Sequence, residues 1–561
     1  MSKRSVAVFV VITLASLTFG VQKKDDSAPV FATSTNFVQV PVIVQKSGKH
    51  LSGLKKEDFT LRQDGKEQAI VSFEEVQAGT PDQNESTNQF GNGQAQVSPQ
   101  IIIIALDLVD TPNLDRAYFI QELNRFLDKA GNFDGPIGLV GIERGGIRVL
   151  KGFTRDPREI MAAVREHSNS QPTNNAGMTT SDSRQLSDMV ISQSETQLSH
   201  GPDLVPLSVA LKLREADESM GRFLDRSSRI DVQLTIQQLA QALKGIPGRK
   251  SLLLVGSGFK FIDSKTVLRS ISSGFGGTEL KYSAENAGET LNQADYTWKL
   301  LNDANVAVYP IDTRRTVNTA FQTMDTSGAN TPSDLTFREN QQADQDVLTT
   351  FKMISAATGG KPCFYRTDLD NCVREAIDDD HDYYLLGFYA DKSNRQPGWH
   401  KIEVKSIEKA SLRYRQGFML AKFNPEDERK TDIGLALNSP FAYTALPFSG
   451  SFVSFTNRGA KKLAKFRLQL PPEAISVDDS TNHIDFDVVA IARSQGGKEA
   501  ARFIQRIDRK FPAENIAEIK RIGIDYSNQL ELASGQYGIW FVVRDNLSER
   551  TGSAVVPVTV P

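Results

Sequence analysis

An unbroken apolar run, Ile101-Ile102-Ile103-Ile104-Ala105-Leu106, closed by Asp107, narrows most sharply what this chain can become. Consecutive apolar residues leave no polar face to turn toward water. Such a run reads as a strand buried on both faces, the place of a central strand in a parallel sheet. The segments downstream follow the same plan. Phe119, Leu123, Phe126, Leu127 and Ala130 share one helical stripe, which Gly131 stops. Ile137 to Ile142 turns through Arg144-Gly145-Gly146 into Ile147 to Leu150, which predicts an antiparallel edge hairpin. Asp156, Pro157 and Glu159 have the cap, first-turn proline and capping carboxylate of a further helix. Strands are expected at Ser251 to Gly256, Val306 to Ile311, Lys361 to Tyr365 and Tyr383 to Tyr389, with helices between them. Strand alternating with helix predicts βα units in a doubly wound, mostly parallel α/β sheet with helices on both faces.

The chain has 561 residues, too many for one core, because domains run to roughly 100–200 residues. Lys3 and Arg4 precede an apolar stretch from Val6 to Phe19, with Thr18 and Gly20 as small residues near a cut site. That order makes 1–20 a secretory signal peptide and the mature protein an exported one, in the periplasm, at the cell surface or outside the cell. In 31–76, Val38, Val40, Val42 and Val44 alternate, and turns at Ser47-Gly48 and Asp64-Gly65 divide a small β module. Residues 77–99 are rich in Gln, Asn, Gly and Ser and read as a linker. The α/β domain is expected over 100–418, with a polar, weakly patterned insertion at 168–230. From 432 to 561 several strands, among them Ser451 to Phe455, Ile484 to Ala492 and Tyr537 to Arg544, predict an immunoglobulin-like β-sandwich.

Charged residues are 24% of the chain and the net charge is −3, which offers no basic field to a polyanion, so nucleic acid is not an expected partner. The two cysteines, Cys363 and Cys372, lie nine positions apart. In an oxidising compartment they are candidates for a disulfide, the alternative being two free thiols.

In an open sheet of parallel strands, ligands meet the carboxyl ends of the strands. Asp107-Leu108-Val109-Asp110-Thr111 therefore falls at a crevice, with an acid and further oxygen donors suited to a hard divalent cation. The strand ending in Asp107, the edge hairpin, Val255-Gly256-Ser257-Gly258 and Val308-Tyr309-Pro310-Ile311-Asp312 together resemble a von Willebrand factor A domain. More narrowly, Gly53-Leu54 through Asp58-Phe59, Asp64-Gly65, Gly248-Arg249-Lys250, Ala357-Thr358-Gly359-Gly360 and Tyr383-Tyr384-Leu385-Leu386-Gly387 resemble the secreted relatives of that family abundant in acidobacteria. The resemblance implies a metal-ion-dependent adhesion site holding Mg or Ca. This chain departs from the pattern. Asp107 and Thr111 match its first and fifth places, but Val109 stands where a serine is required, and Ser257 stands where a later aspartate belongs. Asp110 is a substitute oxygen donor, so the candidate ligand set is Asp107, Asp110, Thr111 and Ser257.

Catalytic motifs are not recognisable. Gly245-Ile246-Pro247-Gly248-Arg249-Lys250-Ser251 has the wrong spacing for a phosphate loop and precedes a strand instead of following one. Gly256-Ser257-Gly258 lacks the spacing of a nucleophile elbow, and no His-Glu-x-x-His occurs. The expected function is binding of a protein or extracellular polymer by an exported protein that is not an enzyme. Two alternatives stay open: an envelope assembly component acting through its β domains, and a hydrolase with an unrecognised site.

Overall fold

The computed structural model describes residues 37–76, 90–91, 101–169, 232–256, 288–314, 347–379, 382–390, 398–420 and 425–561, apart from 48, 110, 112, 130–132, 134, 144–145 and 247. The expected signal segment and residues 170–230 of the expected insertion lie outside the described residues.

The six apolar residues of the opening run alternate between two dry sides along Ile101–Asp107, which explains its unbroken character. Ile101, Ile103 and Ala105 pack with Leu252, Leu254 and Val308 against the helices at 232–243, 288–303 and 347–358. Ile102, Ile104 and Leu106 pack on the other side with Phe119, Leu123, Val164 and Val373 from the helices Asn113–Lys129, Pro157–Asn169 and Leu369–Asp378. Val306–Asp312, Lys250–Gly256, Ile101–Asp107 and Ile137–Glu143 lie parallel in that order, and Gly146–Thr154 closes the edge antiparallel. Charged Arg148 and Lys151, each ion-paired to a carboxylate, and two register irregularities blunt that edge strand.

Among the described residues this mixed sheet is one of five, and the doubly wound α/β class expected for the chain is overturned by the other four, which are wholly antiparallel. Tyr383–Tyr389, expected as a further strand of the α/β sheet, lies antiparallel between Phe37–Lys46 and Ser72–Val76. Gly398–Ser406 pairs with Phe59–Gln63. Residues 37–76 are therefore not a separate module. They interleave with 383–420 in two sheets that enclose Val40, Val42, Leu61, Leu386, Phe388 and Val404, and the mixed sheet is inserted between neighbouring strands of that sandwich. The misreading has a physical cause. Tyr384, Leu386 and Phe388 face the sandwich core, while fully buried Tyr383 faces the mixed-sheet body, its hydroxyl accepting the N–H of Arg249 at 2.9 Å. An antiparallel strand covered on both sides carries the same unbroken apolar pattern as a parallel one.

The C-terminal residues form one three-stranded and one four-stranded antiparallel array around Phe466, Leu468, Phe486, Val488, Phe541 and Val543. The chain crosses between them after Lys461–Leu470, after Glu499–Lys510 and after Ile524–Leu532. Phe90–Gly91, placed in the expected linker, adds an edge strand beside Ser449–Arg458. The outer face of one sheet is also dry: Val489, Ile491 and Val542 pack on Ala436 of the helix Pro425–Asn438, with Ala242 and Tyr443.

Candidate functional site

By register, Asp107, Gly256 and Asp312 share one edge of the mixed sheet, and Ile101, Lys250 and Val306 share the other. Seven-residue strands set these edges roughly 20 Å apart. The two edges differ in what they touch.

The N-terminal edge is fastened. Arg249, buried, donates from Nη2 to the Tyr309 hydroxyl at 2.7 Å and to the Gly359 carbonyl at 3.2 Å, and from Nη1 to the Asp379 carbonyl at 3.3 Å. The Tyr309 hydroxyl donates to the Asp379 carboxylate at 3.0 Å, and Arg413 of the sandwich pairs with that same carboxylate. Nearby, buried Arg415 donates from Nη1 to the carbonyl and the side-chain oxygen of Asn302, both at 3.2 Å, at the C-terminal end of the helix Gly288–Asp303. The negative end of that helix faces the guanidinium. Burial brings Arg415 down to about 10.

The opposite edge carries the candidate ligands. Asp107 is 2% exposed. Its Oδ1 accepts the Val109 N–H at 2.9 Å, and its Oδ2 accepts the Thr111 hydroxyl at 3.2 Å. Arg116, one turn into the following helix, donates to the carbonyls of Thr111 at 2.5 Å and Leu108 at 3.2 Å. The aspartate thus holds its own loop in shape, and the arginine pins that loop from the far side. Gly256 completes the arrangement: a Cβ there would lie 2.9 Å from the Asp107 Cβ and 3.0 Å from both Asp107 Oδ2 and Thr111 Oγ1.

The structure brings Asp107 and Thr111 together, while Asp110 and Ser257 lie outside the described residues. Val109 is buried and apolar where the motif needs an oxygen. The described donor set is one carboxylate and one hydroxyl, already bonded to each other, and among the described residues no group of three His, Cys, Asp or Glu converges. Mg seeks near-octahedral oxygen coordination, and Ca seeks six to eight oxygens. The described residues do not fit a resident Mg or Ca.

Asp312 and Arg314 are site residues that the sequence reading left unassigned. Asp312 is as buried as Asp107 and takes the Arg314 backbone N–H at 3.0 Å and its guanidinium at 2.9 and 2.7 Å. An acid ending a buried apolar strand was the signal used for Asp107, and the same signal stands at Asp312. Beyond it, the Cys363 N–H donates to Pro310 and the Asp312 N–H to Cys363, both at 2.8 Å, so residues 363–365 run past the C-terminal end of that strand. Cys363 and Cys372 are joined, which ties this segment to the helix Leu369–Asp378. Among the described residues no helix is long and apolar enough to cross a membrane.

No family model and no curated protein matches the chain. Among solved structures it is similar to a glycosyl hydrolase family 2 member from Bacteroides cellulosilyticus DSM 14838, at 9% identity over 32% of this chain and 20% of that one, with a TM-score of 0.14. A beta-glucuronidase from Bacteroides uniformis matches at 9% identity over 32% of this chain and 19% of that one, again with a TM-score of 0.14. The chain spans about a fifth of the length of these structures. A superposition so slight carries no argument about the chemistry of this chain.

Proposed function

We propose that this is an exported binding protein that meets a protein or extracellular polymer at the C-terminal edge of its mixed sheet, and that it does not catalyse. The observation that carries the reading is the one-sided anchoring of that sheet. Arg249, Tyr309, Asp379, Arg413 and Tyr383 fasten its N-terminal edge to the sandwich, so the loops at Asp107 and Asp312 are presented from a fixed base. The carboxylates there serve their own loops: Asp107 holds Val109 and Thr111, and Asp312 holds Arg314. The Thr111 hydroxyl that Asp107 accepts is itself buried and closes the loop, away from any ligand in solvent. The Cys363–Cys372 bond supports an oxidising compartment. Binding at this edge proceeds without a resident cation, since the loop closes through its own hydrogen bonds.

The test is retention of the mature protein on immobilised matrix proteins and extracellular polysaccharides, with Thr111→Val as the edge variant. Retention that survives chelation and is lost in the variant is the expected result. Retention by no surface sinks the reading. Loss of retention on chelation, restored by Mg or Ca, sinks its cation-free form, and turnover of a hydrolase substrate panel sinks the claim that it does not catalyse.

A further inference from the structure

Tyr365 is the one aromatic residue among the described positions with left-handed backbone, φ 56°, and it is 57% exposed. Left-handed φ is disfavoured for a bulky side chain, and an exposed ring recovers nothing by burial. The surrounding loop nevertheless enforces this conformation from both sides. Upstream, Cys363 is hydrogen-bonded into the Val306–Asp312 strand and joined to Cys372. Phe364 meets the Tyr365 ring edge-on, with centroids 5.6 Å apart, and lies under the Lys352 ammonium. Downstream, Arg366 grips Asp368 through two bonds of 2.8 and 2.6 Å and reaches Glu375 at 3.1 Å, while the Tyr118 hydroxyl donates to the Thr367 carbonyl at 3.0 Å. A strained, solvent-facing ring held this firmly is preorganised, and a rigid aromatic anchor gains affinity because little freedom is left to lose on binding.

The charges around it indicate what it meets. Arg366, Asp368, Glu375 and Lys361 are paired among themselves, and Asp312 is paired with Arg314. The Lys352 ammonium is engaged over the Phe364 ring, so an ionic ligand would have to displace one of these contacts. A ligand that stacks on a ring and exchanges neutral hydrogen bonds would not. We propose that Tyr365 is a ligand-contact residue at the C-terminal edge of the mixed sheet and that it stacks against an uncharged polysaccharide chain. This rests on the binding reading above and names its ligand class.

The experiment is native gel electrophoresis through gels containing hydroxyethyl cellulose, galactomannan or dextran, with the mature wild type, Tyr365→Phe and Tyr365→Asn. Asparagine tolerates left-handed backbone, so its variant keeps the fold and reports on the ring alone. Retardation of the wild type by at least one polymer is expected, kept in Tyr365→Phe and weakened at least about tenfold in Tyr365→Asn, whose Tm is equal or higher. Retardation undiminished in Tyr365→Asn overturns the role of the ring. Retardation abolished by ~0.5 M sodium chloride overturns the uncharged ligand. A wild type held by matrix proteins but by none of these glycans overturns this inference and leaves the binding reading standing.

Discussion

Asp432 and Arg544 are an ion pair with almost no contact with water: they are 1% and 3% exposed, and Nε and Nη2 of the arginine each lie 2.8 Å from Oδ2 of the aspartate. The other carboxylate oxygen accepts Gln241 Nε2 at 2.7 Å and the Tyr296 hydroxyl. Burial pushes the Tyr296 phenol up, with Asp432 adding to the effect, so it remains a donor at any working pH. One carboxylate thus joins two helices of the mixed-sheet body to the C-terminal sandwich. Lys299 sits alongside, bridging Glu428 and Glu549 at 2.8 Å each. Burial pulls its ammonium down, but the carboxylates of Asp303, Glu549 and Glu428 hold it well above its ordinary value.

Removing one partner leaves the other as an unanswered buried charge. Asp432→Ala should therefore destabilise by about 3–5 kcal/mol, whereas the double replacement Asp432→Leu with Arg544→Leu should lose far less. Denaturant unfolding of the three proteins checks this. Equal losses in the single and double variants would contradict it.

Gly256 sits against the Asp107–Thr111 bond with no room for a methyl group. Gly256→Ala should displace the 107–111 loop, cost about 1–3 kcal/mol and lower retention on the ligand surface together with stability. Gly152→Ala, at a position with nothing within 4 Å, is the matched control and should change neither. Thermal unfolding and the retention assay read both variants.

Reduction of Cys363–Cys372, or replacement of both by serine, should cost roughly 2–3 kcal/mol for so short a loop. The larger consequence is local. Residues 363–368 lose their covalent tie to the helix, so amide exchange there should accelerate more than in the sandwiches. Hydrogen-exchange mass spectrometry under native conditions makes the comparison.

Acid should weaken the C-terminal sandwich through Asp485. Burial raises its pKa, but the Arg506 guanidinium, bonded at 2.8 and 2.7 Å, and the Asn546 amide hold the carboxyl below its ordinary value. A depressed folded-state pKa contributes stability above the unfolded value of about 3.9, and that contribution is lost as pH falls through the folded value. Stability should decline below about pH 4. Asp485→Asn should be less stable near neutrality and show a shallower acid slope, which urea unfolding from pH 7 to 2.5 would reveal.

Local order was legible wherever a segment's partners lie close in the chain or its burial is extreme. The apolar run 101–106, the edge hairpin at Ile137–Glu143 and Gly146–Thr154, and the Asp107–Thr111 proximity follow from patterns within a few residues. Tertiary structure alone decided which sheet each strand joined. Tyr383–Tyr389 and His483–Ser494 are antiparallel strands covered on both sides, and a side chain records that it is dry without recording what dries it. The same holds for the buried charges. Arg249, Asp379, Asp432 and Arg544 stand in sequence as ordinary polar residues, because the groups that answer them lie 34 to 191 positions away. Tyr365 likewise reads as strand in the sequence. Its left-handed turn and its exposure arise only once the disulfide, the Arg366–Asp368 pair and the Val306–Asp312 strand close around it.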